Sequence, residues 1–255
     1  MRFTDLDAAM RIFETAHDHC VLPGLHMVAR IDGRNFTRLT REVCCFTAPY
    51  DESFRDHMVE TTKHLMSCGF RVVYAYTQSD EISLLLDRDE DAFGRKLRKY
   101  ESILAGEASA WFTHRLGIPA AFDARIAQLP DRARVLSYFR WRADDAHRNA
   151  LNGHCYWQLR REGRTPAESA SQLAGMSNAA KNDLLYERAG INFNDLPAWQ
   201  RRGIGVYWEG NQSSTVSDAD STGARASGRG LRVDLGLPMK GAYEAFLEGL
   251  IREDS

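Results

Sequence analysis

Two segments of the chain, His26–Phe36 (HMVARIDGRNF) and Arg71–Leu86 (RVVYAYTQSDEISLLL), decide the fold. The first is an apolar run followed by Asp32 and a glycine. The second predicts a hairpin of two apolar strands joined at a polar corner, Asp80–Glu81. The residues between the two segments have a helical pattern, so the order of elements is β-α-β-β.

This order constrains how the strands pair. A helical crossover makes the first two strands parallel, and a hairpin sends the third strand back antiparallel. A helical pattern over residues 89–115 and an alternating strand, Phe122–Ala127, complete a β-α-β-β-α-β core. We therefore predict an α+β fold with a ferredoxin-like sheet and additional helices.

Acidic residues lie at the strand ends that this topology brings together. If the third strand pairs with the first, as in ferredoxin-like sheets, Asp32 and Asp80 reach the same edge. Two carboxylates there suit a pair of magnesium ions about 3.5–4 Å apart that drive an in-line phosphoryl displacement. For Asp80–Glu81 the alternative is ordinary turn chemistry. Asp123, on the fourth strand, is a third polar candidate or a solvent-facing strand residue.

Composition limits the class of protein more than its partners. The chain has 255 residues, 44% of them hydrophobic, and a net charge of −2, so no global charge indicates nucleic acid. Its five cysteines are odd in number and lack metal-type spacing. With no signal peptide and no long apolar run, they favour a reduced cytoplasmic protein.

The second half of the chain is predominantly helical by pattern. Pro130–Glu162 is interpreted as two consecutive helices, and residues 130–164 carry eight arginines against four acidic residues, with Trp141, Tyr156 and Trp157 among them. Such a mixture suits phosphate contacts and base stacking, and the alternative is a solvated helical face. Further elements are expected in the following order: helices over 166–173 and 178–187, a strand over 204–208, a polar loop over 209–229 and a helix over 238–251. We expect residues 1–130 to form the catalytic core and residues 131–255 a helical region, with a closing strand and a C-terminal helix, packed with it as one unit.

Several blocks together resemble the tRNA(His) guanylyltransferase family and its relatives, the Thg1-like proteins. They occur in order over most of residues 25–210: Arg30–Phe36, Tyr76–Ser83, Phe122–Arg125, Trp141–Asn149, Lys181–Leu185 and Arg201–Ile204. One such block would be a weak signal, but this many in order is a specific one.

The resemblance implies a polymerase-type palm that adds nucleotides in the 3′–5′ direction to tRNA 5′ ends. It implies activation of the 5′-phosphate with ATP or GTP, two Mg²⁺ ions, and a homotetramer built as a dimer of dimers. The implied metal ligands are Asp32, the Gly33 carbonyl and Asp80, with Glu81 as a further catalytic residue. The implied nucleotide-binding residues are Asp32, Gly33, Arg34, Asn35, Phe36, Thr37, Ser79 and Asp80. Candidates for contacts to tRNA or the activating nucleotide are His147, Asn149, Lys181, Asn182, Arg201 and Arg202.

Two departures from the family pattern refine the expectation. A block that reads HINNLYN in the eukaryotic enzymes is His147–Gly153 (HRNALNG) here. This difference favours the Thg1-like branch, which repairs shortened tRNA 5′ ends, over strict addition of guanylate to tRNA(His). A basic residue common in the family is Ala48 here.

Two other classes of protein remain open as alternatives, a palm-type nucleotide cyclase and a non-catalytic tRNA-binding protein.

Overall fold

The structure is a computed structural model that describes residues 2–209 and 230–251. The helices of the described chain are α1 Phe3–Thr15, α2 Phe36–Arg38, α3 Glu52–Leu65, α4 Leu97–Leu116, α5 Arg132–Arg161, α6 Pro166–Leu173, α7 Asn178–Ala189, α8 Ala198–Arg202 and α9 Gly241–Leu250. A π-helical turn, Leu39–Val43, continues α2, and 3₁₀ turns span Ala92–Arg95 and Phe193–Asp195. Within these residues no helix combines the length and apolar character needed to span a membrane.

The strands form one sheet. They are β1 His26–Arg34, β2 Val72–Gln78, β3 Glu81–Leu86, β4 Ala121–Leu129, β5 Ile204–Trp208 and β6 Leu231–Asp234. Their order is β4-β1-β3-β2-β5-β6, and every neighbouring pair is antiparallel. The first four strands have the ferredoxin-like order, which confirms the predicted α+β fold.

The two faces of the sheet are covered by different helices. Because side chains alternate along a strand, Ala29 and Ile31 face α3 and α4 in one core, whereas Val28 faces α5 and α9 in the other. The second half of α5 leaves the sheet and packs with α6 and α7 in a third cluster. Asp32 and Glu81 lie on the same face of the sheet as Val28, so their side chains lie under α5 and not under α3 and α4.

The sequence predicts a helix N-cap at Asp51 and a helix stop at Gly190, and the structure has both. Asp51 accepts hydrogen bonds from the backbone N–H groups of Ser53 (2.8 Å) and Phe54 (3.1 Å), and α3 begins at the next residue. Gly190 ends α7 in the left-handed conformation (φ 66°). The strand predicted over 204–208 is present with those bounds.

The prediction of two helices over Pro130–Glu162 was wrong, because α5 is one helix of 30 residues. No proline interrupts it, and the cost of Gly153 inside a helix, about 1 kcal/mol, is offset by packing along the whole length. The ideal Cβ position of Gly153 lies 3.7 Å from Pro49, an ordinary van der Waals distance, so the loop before α3 lies against α5 at this point.

The helix predicted over residues 89–115 begins later, at Leu97. The backbone before it turns at Arg95, which is buried and donates hydrogen bonds to the carbonyls of Leu25 (2.6 Å) and Glu90 (3.2 Å). Three consecutive positive φ angles, at residues 93–95, bring those carbonyls around the guanidinium. Satisfying a buried arginine therefore takes precedence over helix propensity here.

Three further differences concern the ends of the chain and the sheet edge. Strand β6 was not predicted, since only four residues form it and none is fully buried. The polar loop expected over 209–229 lies, except for residue 209, outside the described residues. For the N-terminal segment, the sequence predicts a packing helix from Asp5 to about His17 with Leu6, Met10 and Phe13 on one face. The structure has helix α1 there, yet none of its residues is buried.

Gly33 lies where β1 turns into α2, and no larger residue fits there. An ideal Cβ on Gly33 would lie 2.5 Å from the ring of Phe36, which is itself packed against Phe112 and Phe122. We expect Gly33→Ala to lower the free energy of unfolding by about 1–3 kcal/mol, measured by urea denaturation. Gly106→Ala is the control, because nothing lies within 4 Å of its Cβ and alanine favours the helix. Equal stability of the two variants would contradict this account of the turn.

His154 predicts a pH dependence of stability. It is buried between Tyr50 and Phe193, and burial lowers its pKa from 6.5 to about 4. Because the folded-state pKa lies below the unfolded value, stability is lost as the pH falls from 6.5 towards 4. Between pH 7 and pH 5 this group should cost about 2 kcal/mol.

Urea denaturation at both pH values measures that loss. His154→Gln should lose about 2 kcal/mol less than the unsubstituted chain between pH 7 and pH 5. The exposed His114→Gln should behave like the unsubstituted chain. A His154 variant with the full pH-dependent loss would show that the buried imidazole is not its source.

Candidate active site

The pairing of β1 with β3 brings the predicted acidic residues to one edge of the sheet. Asp32 lies directly opposite Glu81, and the backbone N–H of Gly33 donates to the carbonyl of Asp80 (3.0 Å). The tight corner between β2 and β3 places Ser79 at a positive φ of 54°, a conformation that non-glycine residues adopt rarely. Carboxylates 48 positions apart in the chain are therefore neighbours in the fold.

Asp80 is the carboxylate whose charge is least compensated. Burial raises the pKa of Asp80 to about 6, and the nearby charges of Asp32 and Glu81 add to this effect. Asp32 is about one-third exposed, and its nearest basic group is Arg30 at 3.8 Å. Raised pKa values of this origin mark sites where a cation would relieve repulsion.

Glu81 has a different environment. Arg142 of α5 binds its carboxylate with two hydrogen bonds, from Nε to Oε1 (2.7 Å) and from Nη2 to Oε2 (2.8 Å). The guanidinium of Arg30 forms an ion pair with the same carboxylate. The pKa of Glu81 is still raised, because the effect of burial outweighs the lowering by Arg142 and then by Arg30.

The residues at this edge fit a divalent cation that is shared with a substrate. In the described part of the chain, no group of three or more His, Cys, Asp or Glu side chains is arranged to hold a metal by itself. Mg²⁺ usually binds one or two carboxylates and completes its shell with water and substrate phosphates. Among the described residues, Asp32 and Asp80 provide two oxygen-donor carboxylates that no arginine binds in a bidentate contact, and Asp80 also lines a pocket.

That pocket lies beside the corner, on the α3 side of the sheet. It is partly open to solvent and is lined by residues of α2, α3, α5 and the corner between β2 and β3. Its walls carry aromatic rings from four parts of the chain, Phe36, Tyr50, Trp157 and Trp199. The guanidinium of Arg41 stacks on Trp157 at 4.8 Å from the ring centroid. Flat apolar surfaces next to a positive charge suit a nucleotide.

The proposed nucleotide-binding residues divide between this pocket and the solvent. Phe36, Thr37, Ser79 and Asp80 line the pocket. Arg34 and Asn35 are exposed at the turn after β1, and Asn35 has a positive φ of 59°. The carbonyl of Ala48, where relatives often carry a basic residue, accepts a hydrogen bond from Arg161 (2.7 Å), so an arginine from α5 lies beside that position.

Two of the candidates for tRNA or nucleotide contacts lie together between α5 and α8. His147 packs edge-on against Phe193 (5.2 Å between centroids), and burial lowers its pKa. Arg201 is only 7% exposed, and its Nε donates to the carbonyl of Leu196 (2.8 Å). In the structure both side chains are packed within the protein instead of projecting into solvent.

The other candidates are distributed over three helices. Asn149 donates to Asp145 (3.2 Å), and Asn182 donates to the carbonyl of Asn178 (2.8 Å). Arg202 donates to the carbonyl of Leu237 (3.0 Å), and Lys181 is partly buried on α7. The structure therefore does not gather all six candidates into one cluster.

Sequence reasoning assigned no role to Arg30 and grouped Arg142 with the arginines suited to phosphate contacts, although both lie inside the family-like blocks. The structure instead buries Arg142 against Glu81. A signal for Arg30 was present, because a residue two positions before Asp32 in a strand shares its face. No local signal relates Arg142 to a glutamate 61 positions away. The aromatic pocket walls were also missed, since Tyr50, Trp157 and Trp199 come together only in the fold.

Comparison with known families agrees with this geometry. The family model described as tRNAHis guanylyltransferase matches residues 7–130, and the model of the Thg1 C-terminal domain matches residues 133–232. A probable tRNA(His) guanylyltransferase of Drosophila melanogaster is 32% identical over 195 residues, which cover 73% of this chain and 68% of the relative. The human one is 30% identical over 210 residues, with 78% and 70% covered.

Solved structures support the same relationship at the level of the fold. A bacterial Thg1-like protein in complex with ATP superposes with a TM-score of 0.76 at 26% identity, covering 96% of this chain and 99% of that one. The tRNA(His) guanylyltransferase of Saccharomyces cerevisiae superposes with a TM-score of 0.71 at 27% identity, covering 78% and 91%. The chain described here belongs to the tRNA(His) guanylyltransferase (Thg1) family of nucleotidyltransferases.

Proposed function

We propose that this enzyme adds nucleotides in the 3′–5′ direction to tRNA 5′ ends in a Mg²⁺-dependent reaction. The observation that carries the proposal is the meeting of Asp32 and Asp80 at one sheet edge beside an aromatic pocket. A bacterial relative is known in complex with ATP and in complex with GTP, which supports the pocket as the nucleotide site. In this proposal residues 1–130 carry the chemistry and residues 131–255 contribute tRNA contacts.

The reaction has two phosphoryl-transfer steps. In the first step an oxygen of the tRNA 5′-phosphate attacks the α-phosphate of ATP or GTP, and pyrophosphate leaves. In the second step the 3′-hydroxyl of an incoming nucleoside triphosphate loses its proton and attacks the activated 5′-phosphate, and AMP or GMP leaves. Asp32, the Gly33 carbonyl and Asp80 would hold two Mg²⁺ ions, which when bound neutralise phosphate charge and align the reacting oxygens. The protein's own task is to position the triphosphate and to exclude water, because such transfers need alignment more than covalent help.

The drift of the His147–Gly153 block favours repair of shortened 5′ ends over guanylate addition restricted to tRNA(His). Candidate tRNA contacts are the exposed Asn149 together with Lys181, Asn182 and Arg202, while the packed His147 and Arg201 would shape the surface beneath them.

The five cysteines form no disulfide in the structure, which suits the proposed cytoplasmic location.

The metal assignment predicts the effect of removing one carboxylate. Asp80→Asn and Asp32→Asn should each lower incorporation of labelled nucleotide into tRNA at least about 100-fold, because the site loses a charge that Mg²⁺ requires. Asp91→Asn, at a largely exposed aspartate in the loop after β3, is the control and should retain activity. An Asp80→Asn enzyme with unchanged incorporation would refute the assignment.

The same assay separates the proposed activity from the alternatives. It should offer tRNAs with intact or shortened 5′ ends, each of the four labelled triphosphates, and Mg²⁺. Completion of shortened ends by base-pairing nucleotides supports repair, whereas guanosine added only to tRNA(His) supports the narrower reaction. A cyclic nucleotide formed without tRNA would identify a cyclase, and tight tRNA binding that survives loss of Asp32 without any product would identify a binding protein.

We also propose a homotetramer, with a second copy of the chain covering α1. Helix α1 carries an exposed apolar stripe at helical spacing, formed by Phe3, Leu6, Met10 and Phe13. Phe3 is 80% exposed and Phe13 76%. Contiguous apolar surface of this kind is typical of interaction sites. Because the stripe belongs to a helix with no buried residue, its burial against another copy would account for its composition.

Light scattering coupled to size-exclusion chromatography tests this oligomer. The unsubstituted chain should elute at about four times the 28.9 kDa chain mass, and Met10→Ser/Phe13→Ser should shift it to a smaller species. The matched control is Asp7→Ser/Arg11→Ser, which removes an ion pair (2.7 Å) from the same helix. A stripe variant with unchanged mass would exclude α1 from the interface, and a monomeric unsubstituted chain would refute the oligomer.

A further inference from the structure

The carboxylate of Glu81 is enclosed by arginines in a way that distinguishes it from its acidic neighbours. Arg142 binds both of its oxygens, at 2.7 and 2.8 Å, and Arg30 forms an ion pair with it from the adjacent strand. The three side chains are mostly buried, with 12% of Glu81 and 10% of Arg142 exposed. Paired, planar hydrogen bonds of this kind are the strong form of the carboxylate–arginine contact.

Because both arginines pair with Glu81, the negative charges of Asp32 and Asp80 are compensated less. Glu81 faces two positive groups, whereas Asp32 shares only Arg30, at 3.8 Å. Among the described residues no basic side chain forms an ion pair with Asp80. A cation bound to Glu81 would have to displace a guanidinium from a buried site. Asp32 and Asp80 can bind one without breaking an existing bidentate contact.

We propose that Glu81 is a positioning residue and not a metal ligand, and that its partner Arg142 holds the acidic edge of the sheet against α5. Glu81 is the first residue of β3 and follows Asp80 directly, so anchoring its side chain fixes the corner. Arg30 extends the same contact to β1, two residues before Asp32. This inference rests on the proposed nucleotidyl transfer for its catalytic consequence.

Further contacts brace Arg142 from the side of α5. Its guanidinium lies 4.6 Å from the ring centroid of Trp141 and donates to Asp145 (3.3 Å). Asp145 is held in turn by Arg148 and Asn149. The aromatic ring and the acidic neighbour restrict the arginine to one orientation, which is the property that a positioning contact requires.

The experiment compares ion binding and turnover in Glu81→Gln, Arg142→Met and the double variant. Mn²⁺ binding, measured by the water-proton relaxation rate in the presence of ATP, should stay within about threefold of the unsubstituted enzyme in Glu81→Gln and fall at least tenfold in Asp80→Asn. The kcat for nucleotide addition should fall about 10- to 100-fold in each single variant. The double variant should be no worse than either single variant, because both changes remove the same contact between Glu81 and Arg142, so the second change has nothing further to break.

The matched control is the ion pair between Glu162 and Arg188, which joins α5 to α7 at 2.7 Å away from the acidic edge. Glu162→Gln and Arg188→Met should change neither Mn²⁺ binding nor kcat. A tenfold loss of Mn²⁺ affinity in Glu81→Gln would overturn the proposal and make Glu81 a ligand. Multiplicative losses in the double variant would also overturn it, because they would show two independent roles.

Failure of this inference can be told apart from failure of the proposed function. If the unsubstituted enzyme adds no nucleotide to any tRNA, the proposed function fails. The Mn²⁺ affinities remain measurable in that case. The coupling between Glu81 and Arg142 also remains measurable, by thermal unfolding of the single and double variants. These two measurements then test whether Glu81 is a positioning residue without any need for turnover.

Discussion

The antiparallel pairing of β1 with β3 is the constraint on which the rest of the structure depends. It places Asp32 opposite Glu81 and joins Gly33 to the carbonyl of Asp80. Because side chains alternate along a strand, a slip of one residue would turn Asp32 towards α3 and α4 and bring Ile31 under α5. The buried apolar residues on both faces oppose such a slip, so core packing specifies where the carboxylates lie.

Bringing these acidic groups together has an electrostatic cost that the protein offsets only in part. Two arginines neutralise Glu81, while the pKa of Asp80 is raised by burial and by its acidic neighbours. A fully compensated edge would be more stable but would not attract a divalent cation. The incomplete compensation at Asp32 and Asp80 is therefore what a binding site for such a cation requires, with stability supplied by the two cores around it.

The sequence predicted what local patterns determine, and missed what depends on distant partners. The β-α-β-β-α-β order, the cap at Asp51 and the stop at Gly190 follow from periodicity and from backbone chemistry within a few residues. The length of α5 did not, because the helix packs first on the sheet and then on other helices, so no single apolar stripe runs along it. The pairing of Glu81 with Arg142 likewise joins residues that only the tertiary fold brings together.

The sequence can be divided near residue 130, but in the structure the segments before and after this point pack against each other. Strand β5 comes from the second half of the chain and pairs with β2, and α5 covers the sheet face that carries the acidic residues. The same helix contributes Arg142 to the acidic edge and Trp157 to the wall of the pocket. These contacts lie about four helical turns apart on one element, which α-helical hydrogen bonding makes stiff. Any change in the position of α5 must therefore alter the acidic edge and the pocket together, so this helix fixes the two parts of the candidate site relative to each other.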